Sequence, residues 1–230
     1  MNINILHLIE GAKKARGLTV VIDVFRAFSV EAYLLAKGAE RIIPIGDAEL
    51  AYSMKHDDPR LVLAGERGGK IMPGFDTGNS PSQLANIDVK GKTVIHTTSA
   101  GTQGIVNAVY ADEILGGSLV NAKATAEYIR KSGAETVSLV CMGLEGATQS
   151  DEDTLCALYI KSLLENSPFD PERETAKLQY TSGAKFFDPE KNDVFPRDDF
   201  YMCTDIDIFD FVLKLERPDK GIPYIRSCRV

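Results

Sequence analysis

Leu18-Thr19-Val20-Val21-Ile22-Asp23 is an unbroken run of β-branched and apolar residues that ends on an acid. A half-exposed strand would alternate polar and apolar side chains. This run does not, as expected of a strand buried on both faces of a parallel sheet. Arg41–Ile45, Leu61–Ala64, Thr93–Thr97, Glu113–Leu115 and Glu135–Cys141 read as further strands, with helical patterns between them. Ser29 can cap a helix to Lys37, Asp47 one over 48–55, and Asn121 one to Lys131; Thr102–Ala111 reads as a helix of small residues. Asp151 opens another, running to about Leu164. Strands alternating with helices predict an α/β fold, a three-layer α/β/α arrangement with a largely parallel or mixed sheet. Residues 1–165 read as the main α/β body. In 166–230, where Pro, Asp and aromatic residues crowd (FFDPEKNDVFPRDDF, 186–200), the expectation is an appended helix and loops packing on the same domain.

The strand Leu61–Ala64 runs into Gly65–Pro81, GERGGKIMPGFDTGNSP, which holds five glycines in seventeen residues. Long irregular segments of compact domains are usually functional or disordered, and Ile71, Met72 and Phe75 anchor this one. Glycines let backbone N–H groups approach an anion. Arg67 and Lys70 add positive charge, while Glu66 and Asp76 add oxygens that suit a hard cation.

Composition narrows the function. The net charge of −7 over 230 residues argues against a general binder of nucleic acid or anionic membranes. No stretch approaches the roughly 18–20 apolar residues of a membrane span. The opening MNINILHLIEGAKKARG places its charges after its apolar residues, the reverse of a secretory signal. Cys141, Cys156, Cys203 and Cys228 are widely spaced, which predicts reduced thiols and a cytoplasmic protein. Three histidines are too few for a histidine-rich zinc site. A homodimer is the base-rate expectation for the assembly.

Ligands of open α/β sheets bind beyond the carboxyl ends of the strands, and four polar motifs fall at such ends. Asp23-Val-Phe-Arg26 follows the first strand, as an anion-binding pair or as a structural ion pair. Glu66-Arg67 leads to Asp76 and to Asn79-Ser80-Pro81, where Ser80 and Pro81 fit a helix N-cap and first turn. Thr97-Thr98-Ser99-Ala-Gly101-Thr102 suits oxyanion binding, or simply helix capping. Glu145, and then Asp151, Glu152 and Asp153 opening a helix, could complete a Mg²⁺ site, although the helix dipole alone explains one or two of these acids. A P-loop is excluded by Asn86 where its first glycine must stand, and a G-x-S-x-G elbow by Thr97. The Cys-x5-Arg, D-x-D and Arg-His-Gly signatures of other phosphatases are absent.

VVIDVFRAFS, GERGGKIMPGFDTGNSP, the TTSAGT turn and SDEDTLCA together resemble the ComB family, the 2-phosphosulfolactate phosphatases, in order and spacing across residues 18–165. The resemblance implies a Mg²⁺-dependent phosphatase that makes sulfolactate, a step toward coenzyme M in methanogens. It also implies an α/β fold, and the chain reads as a divergent bacterial-type member. By position, the family's polar residues fall at Asp23, Arg26, Glu66, Arg67, Asp76, Asn79, Ser80, Thr97, Thr98, Glu152 and Asp153. The family commonly reads R-A-S/T-T and T-T-N-G-T where this chain has Arg26-Ala-Phe28-Ser29 and the longer TTSAGT. The expectation is that Phe28 and the altered turn reshape the pocket end that reads the sulfonate.

The resulting expectation is a phosphoric monoester hydrolase acting on 2-phosphosulfolactate or a related phospho-hydroxy acid. Asp23, Arg26, Glu66 and Arg67 are its catalytic candidates, and Asn79, Ser80, Thr97, Thr98 and Ser99 its substrate-binding ones. Asp23, Asp76, Glu152 and Asp153 are candidates to share Mg²⁺, not all directly, since Mg²⁺ takes one or two carboxylates plus substrate oxygens and water. Water is then the attacking group, with a covalent route through Asp23 or Ser99 left open. The alternatives are a non-catalytic binder of a phosphorylated or sulfonated metabolite, and a subunit interface in which these acids and arginines pair.

Overall fold

The computed structural model describes residues 1–230. Its strands are β1 Asn2–His7, β2 Gly17–Ile22, β3 Arg41–Pro44, β4 Val62–Arg67, β5 Lys70–Ile71, β6 Thr93–Thr97, β7 Ala111–Gly117, β8 Thr136–Cys141, β9 Phe211–Glu216 and β10 Tyr224–Arg229. The helices are α1 Leu8–Lys14, α2 Ala27–Ala36, α3 Ala48–Asp57, α4 Gly101–Asn107, α5 Ala122–Ser132, α6 Asp151–Glu165, α7 Pro171–Thr175 and α8 Arg197–Thr204, with 3₁₀ turns between 176 and 191.

All ten strands form one mixed sheet in the order β1-β8-β2-β7-β9-β10-β3-β6-β4-β5. β1, β8, β2 and β7 are mutually parallel, as are β3, β6 and β4. The antiparallel hairpin β9–β10 lies between these halves, pairing with β7 on one side and β3 on the other. Residues 166–230 therefore differ from the appended helix and loops expected of them. Their last two strands occupy the middle of the sheet.

The apolar run of β2 explains its central place: Val20, Val21 and Ile22 are wholly buried. Val21 faces a core shared by both halves with Phe28, Ile42, Val94, Val140 and Leu213. Val20 and Ile22 face a second core, built with Ile129 of α5, Ile160 of α6 and Phe186. Ile43, Leu63 and Ile95 point the other way, to Ala51 of α3 and to Phe75. Helices thus cover both faces of the sheet, giving the α/β fold three layers. α2 buries eight of its ten residues, as a helix apolar on every side must. Phe28 belongs to that packing: a Cβ on Gly116 of β7 would lie 2.6 Å from its ring. It is core, and the expectation that it shapes the ligand pocket is corrected.

Three successive antiparallel pairings make the two parallel halves run in opposite directions. Their carboxyl ends nevertheless meet. A Cβ on Gly101, just after β6, would lie 2.7 Å from Ala27 Cβ and 2.9 Å from Asp23 Oδ2, just after β2. Between them α2 packs on β3, β7, β9 and β10. No helix is long and apolar enough to cross a membrane.

Candidate active site

Where these ends meet lies a cavity of ≈ 120 Å³ lined by residues that include Asp23, Arg26, Glu66, Asn79, Ser99 and Glu152. β2, β4, β6 and the start of α6 deliver them, from positions far apart in the chain. Lys185, Phe195, Phe25 and Glu145 complete much of the wall. A larger groove of ≈ 930 Å³ lies where β3, β4 and β6 begin, but three of its four cations are paired with carboxylates, Arg60 with Asp58, Lys92 with Asp88 and Lys55 with Asp76, and Arg41 donates to Thr93 Oγ1. Exposed pairs of that kind contribute little and mark no chemistry.

Asp23 leaves β2 into this cavity and is 6% exposed. Its Oδ1 accepts the Ala27 N–H at 3.1 Å, while Oδ2 takes no hydrogen bond from the protein. Burial pushes its carboxyl up to about 6, and the charges of Glu66 and Glu152 push the same way; the Ala27 N–H and the Lys185 ammonium pull against them. Glu152 Oε2 is buried without a partner. Asp153 stands behind them, its Oδ1 accepting the Val24 N–H at 2.8 Å and its Oδ2 the Gly143 N–H at 2.7 Å. Burial, and then Glu152 and Asp23, hold the Asp153 carboxyl well above the usual range. It ties the β2 loop to the β8 loop.

Glu66 ties the other two loops. Its Oε1 accepts the Ser99 N–H at 2.8 Å and its Oε2 the Gly69 N–H at 2.7 Å, with the Ser99 hydroxyl at 3.3 Å. Gly69, at φ +79°, reaches that carboxylate through a backbone conformation side chains rarely adopt.

Arg26 is 4% exposed and does not pair with Asp23. Its Nη1 donates to Asp199 Oδ2 at 2.7 Å and to the Val194 carbonyl at 3.0 Å, and its guanidinium lies 5.0 Å from the Phe195 ring centre. Asp199 Oδ1 also accepts the Ser80 hydroxyl and the Ser82 N–H, each at 2.9 Å. Ser80 holds the N-cap position before Pro81, but its side chain serves this ion pair instead of a cap. Lys185 hovers over Phe25, Phe186 and Phe195, 5.3–5.8 Å from their ring centres, and has no carboxylate partner.

Other expected residues stand outside the cavity wall. Arg67 turns its guanidinium to the carbonyls of Glu66 and Gly46 and to Thr97 Oγ1. Thr97 is engaged by that contact, and Thr98 exchanges hydrogen bonds with Thr102. Asp76 is corrected outright. Its Oδ2 accepts the Leu63 N–H at 2.8 Å and Lys55 Nζ at 3.1 Å, at the amino-terminal end of the sheet. After β5 the loop returns to the start of β4, where Asp76 lies, and then runs parallel to that strand toward Asn79. Asp76→Asn is expected to leave phosphoester turnover within about twofold and to change stability by about 1 kcal/mol, the scale of one hydrogen bond. A large loss of turnover at unchanged fold would place Asp76 back in the chemistry.

Sequence reading missed Lys185, Phe195 and Asp199, all in the segment taken for appended loops. The aromatic crowding of 186–200 was the available signal, since those rings form the wall over which Lys185 sits.

No group of three or more His, Cys, Asp or Glu side chains forms a ready-made metal cage. Asp23 and Glu152 nevertheless fit a cation that takes one or two carboxylates and draws its remaining ligands from substrate and water. One has an unpaired oxygen, the other a buried orphan, and like charge crowds both.

The family model for 2-phosphosulpholactate phosphatase matches residues 3–218. A protein of Caldicellulosiruptor saccharolyticus named "Probable 2-phosphosulfolactate phosphatase" is 43% identical over 154 residues, which are 65% of this chain and 63% of that protein. Proteins of the same name are 36% identical over 86% of this chain in Caldanaerobacter subterraneus subsp. tengcongensis and 32% identical over 90% of it in Bacillus subtilis, covering 87% and 90% of those proteins.

Proposed function

The chain belongs to the 2-phosphosulfolactate phosphatase family, and on that premise we propose that it hydrolyses 2-phosphosulfolactate, or a closely related phospho-hydroxy acid, with Mg²⁺. The observation that carries this reading is the cavity where Asp23 and Glu152 face Arg26 and Lys185. A dianionic phosphoryl group with a second anionic arm needs both signs of charge. The carboxylates accept a metal, and the cations accept the anion.

Asp23 and Glu152 would hold Mg²⁺, which when bound supplies charge neutralisation to the phosphoryl oxygens. The chain's own groups do the rest. Lys185 Nζ, held over aromatic rings, draws in an anionic oxygen. Arg26 is kept rigid by Asp199, so it meets substrate without first being ordered. Glu66 fixes the Ser99 hydroxyl and the Gly69 backbone at the mouth of the site. Asp23 Oδ1 is anchored by the Ala27 N–H, which leaves Oδ2 to face the ion. Water adds to phosphorus as the P–O ester bond breaks, one proton of that water passes to the departing ester oxygen, and inorganic phosphate and a hydroxy acid result.

Purified protein should release phosphate from 2-phosphosulfolactate or another phospho-hydroxy acid, and EDTA should abolish release until Mg²⁺ is restored. Full turnover in EDTA would remove the metal from this reading. No release from any such substrate, with or without Mg²⁺, would remove the phosphatase.

A further inference from the structure

A second polar chain runs from the core to the same cavity and takes no part in the chemistry above. Glu31 of α2 and His96 of β6 are both wholly buried. His96 Nδ1 lies 2.8 Å from Glu31 Oε1, and on the far side of the ring Nε2 lies 3.3 Å from Asn79 Oδ1. Asn79 lines the cavity, and its Nδ2 has no partner in the protein. Glu31 Oε2 has none either.

We propose that the Glu31–His96 pair is a positioning device that locks the Asn79 amide with its oxygen inward, so that its NH₂ donates to an anionic oxygen of the substrate. The physical basis is the proton count. A buried carboxylate beside a neutral imidazole would leave an uncompensated charge in the core, which is strongly unfavourable. The pair therefore keeps one more proton, either on the Glu31 carboxyl, donating to Nδ1, or on the ring, donating to the carboxylate. In both arrangements Nε2 carries hydrogen. Burial, which raises Glu31 against the opposing pull of His96, acts in the same direction. An Nε2–H can be answered only by the amide oxygen of Asn79, so the donor end is left for the ligand. An amide turned the other way would set an oxygen against an anion.

The inference rests on the anion-binding reading of the cavity. Its test is inorganic phosphate titrated calorimetrically into the full chain with Mg²⁺, alongside KM and kcat. His96→Leu should weaken phosphate binding about tenfold and raise KM by a similar factor, the scale of a hydrogen bond to a charged group. His96→Gln places an amide NH₂ near the Nε2 position and should recover binding to within about threefold, which a merely structural histidine would not do. Asn79→Asp, which keeps an acceptor toward His96 but turns a negative oxygen to the cavity, should lose binding at undiminished Tm. That variant keeps the test open should His96→Leu fail to fold. Equal binding by His96→Leu and wild type, equal losses in His96→Leu and His96→Gln, or full binding by Asn79→Asp would each overturn the inference. Wild-type protein that binds no phosphate would overturn it together with the anion-binding reading beneath it.

Discussion

Asp23→Asn is expected to lower phosphoester turnover by roughly 10² or more, the scale of losing one preorganised charge from a site, and at the same time to make the metal-free protein more stable. The two effects share a cause. Burial, aided by Glu66 and Glu152, lifts the Asp23 carboxyl from its ordinary 3.8 to about 6. A carboxyl that holds its proton more tightly folded than unfolded favours the fold at low pH, and that contribution is lost as pH rises from about 4 through about 6. At pH 8 in EDTA the aspartate therefore carries a penalty of about 2–3 kcal/mol, at 1.36 kcal/mol per pKa unit. Asparagine removes it and can keep the acceptor for the Ala27 N–H. Thermal unfolding at pH 8 should show a gain of several degrees that shrinks toward pH 4, and Mg²⁺ should stabilise wild type more than the variant. A variant that is fully active, or no more stable than wild type at pH 8, would contradict the role given to Asp23.

Asp199→Ala carries the largest expected loss of stability, about 3–5 kcal/mol, because it strands a buried guanidinium. It also removes the acceptor of the Ser80 hydroxyl and the Ser82 N–H. Urea unfolding measures the loss, and a value under about 1 kcal/mol would mean that the Arg26–Asp199 pair is not what docks α8 on the site. The double variant Arg26→Met with Asp199→Leu separates folding from function. Apolar side chains of similar volume should restore much of the stability, while turnover stays low because the cavity has lost a cation.

Much of the architecture was legible because strands and helices are written in local periodicity. Thr93–Thr97 and the helix after Asp151 begin as read, and Asp47 caps α3 by accepting the Glu49 N–H as its position predicted. Ser29 shows the limit of such reading. α2 begins two residues before it, and its hydroxyl donates to the Val24 carbonyl instead of capping. Asp23, Glu66, Ser99 and Glu152, candidates by the rule that ligands lie beyond strand ends, do line one cavity. Asp76 did not obey it, because the glycine-rich loop returns between Ile71 and Asp76 to the start of β4, and nothing in the residue types records where such a loop turns.

The sequence by itself determined that the chain is an α/β protein, that its polar motifs sit at strand ends, and which kinds of side chain are available for chemistry. Those properties depend on neighbours a few positions apart. Only the tertiary structure decided that β9 and β10 join two opposed half-sheets, that the ends of β2 and β6 meet, and that Arg26 finds its carboxylate at a sequence separation of 173. Sheet order and a buried ion pair are fixed by how distant segments share one core, and no local pattern carries that information.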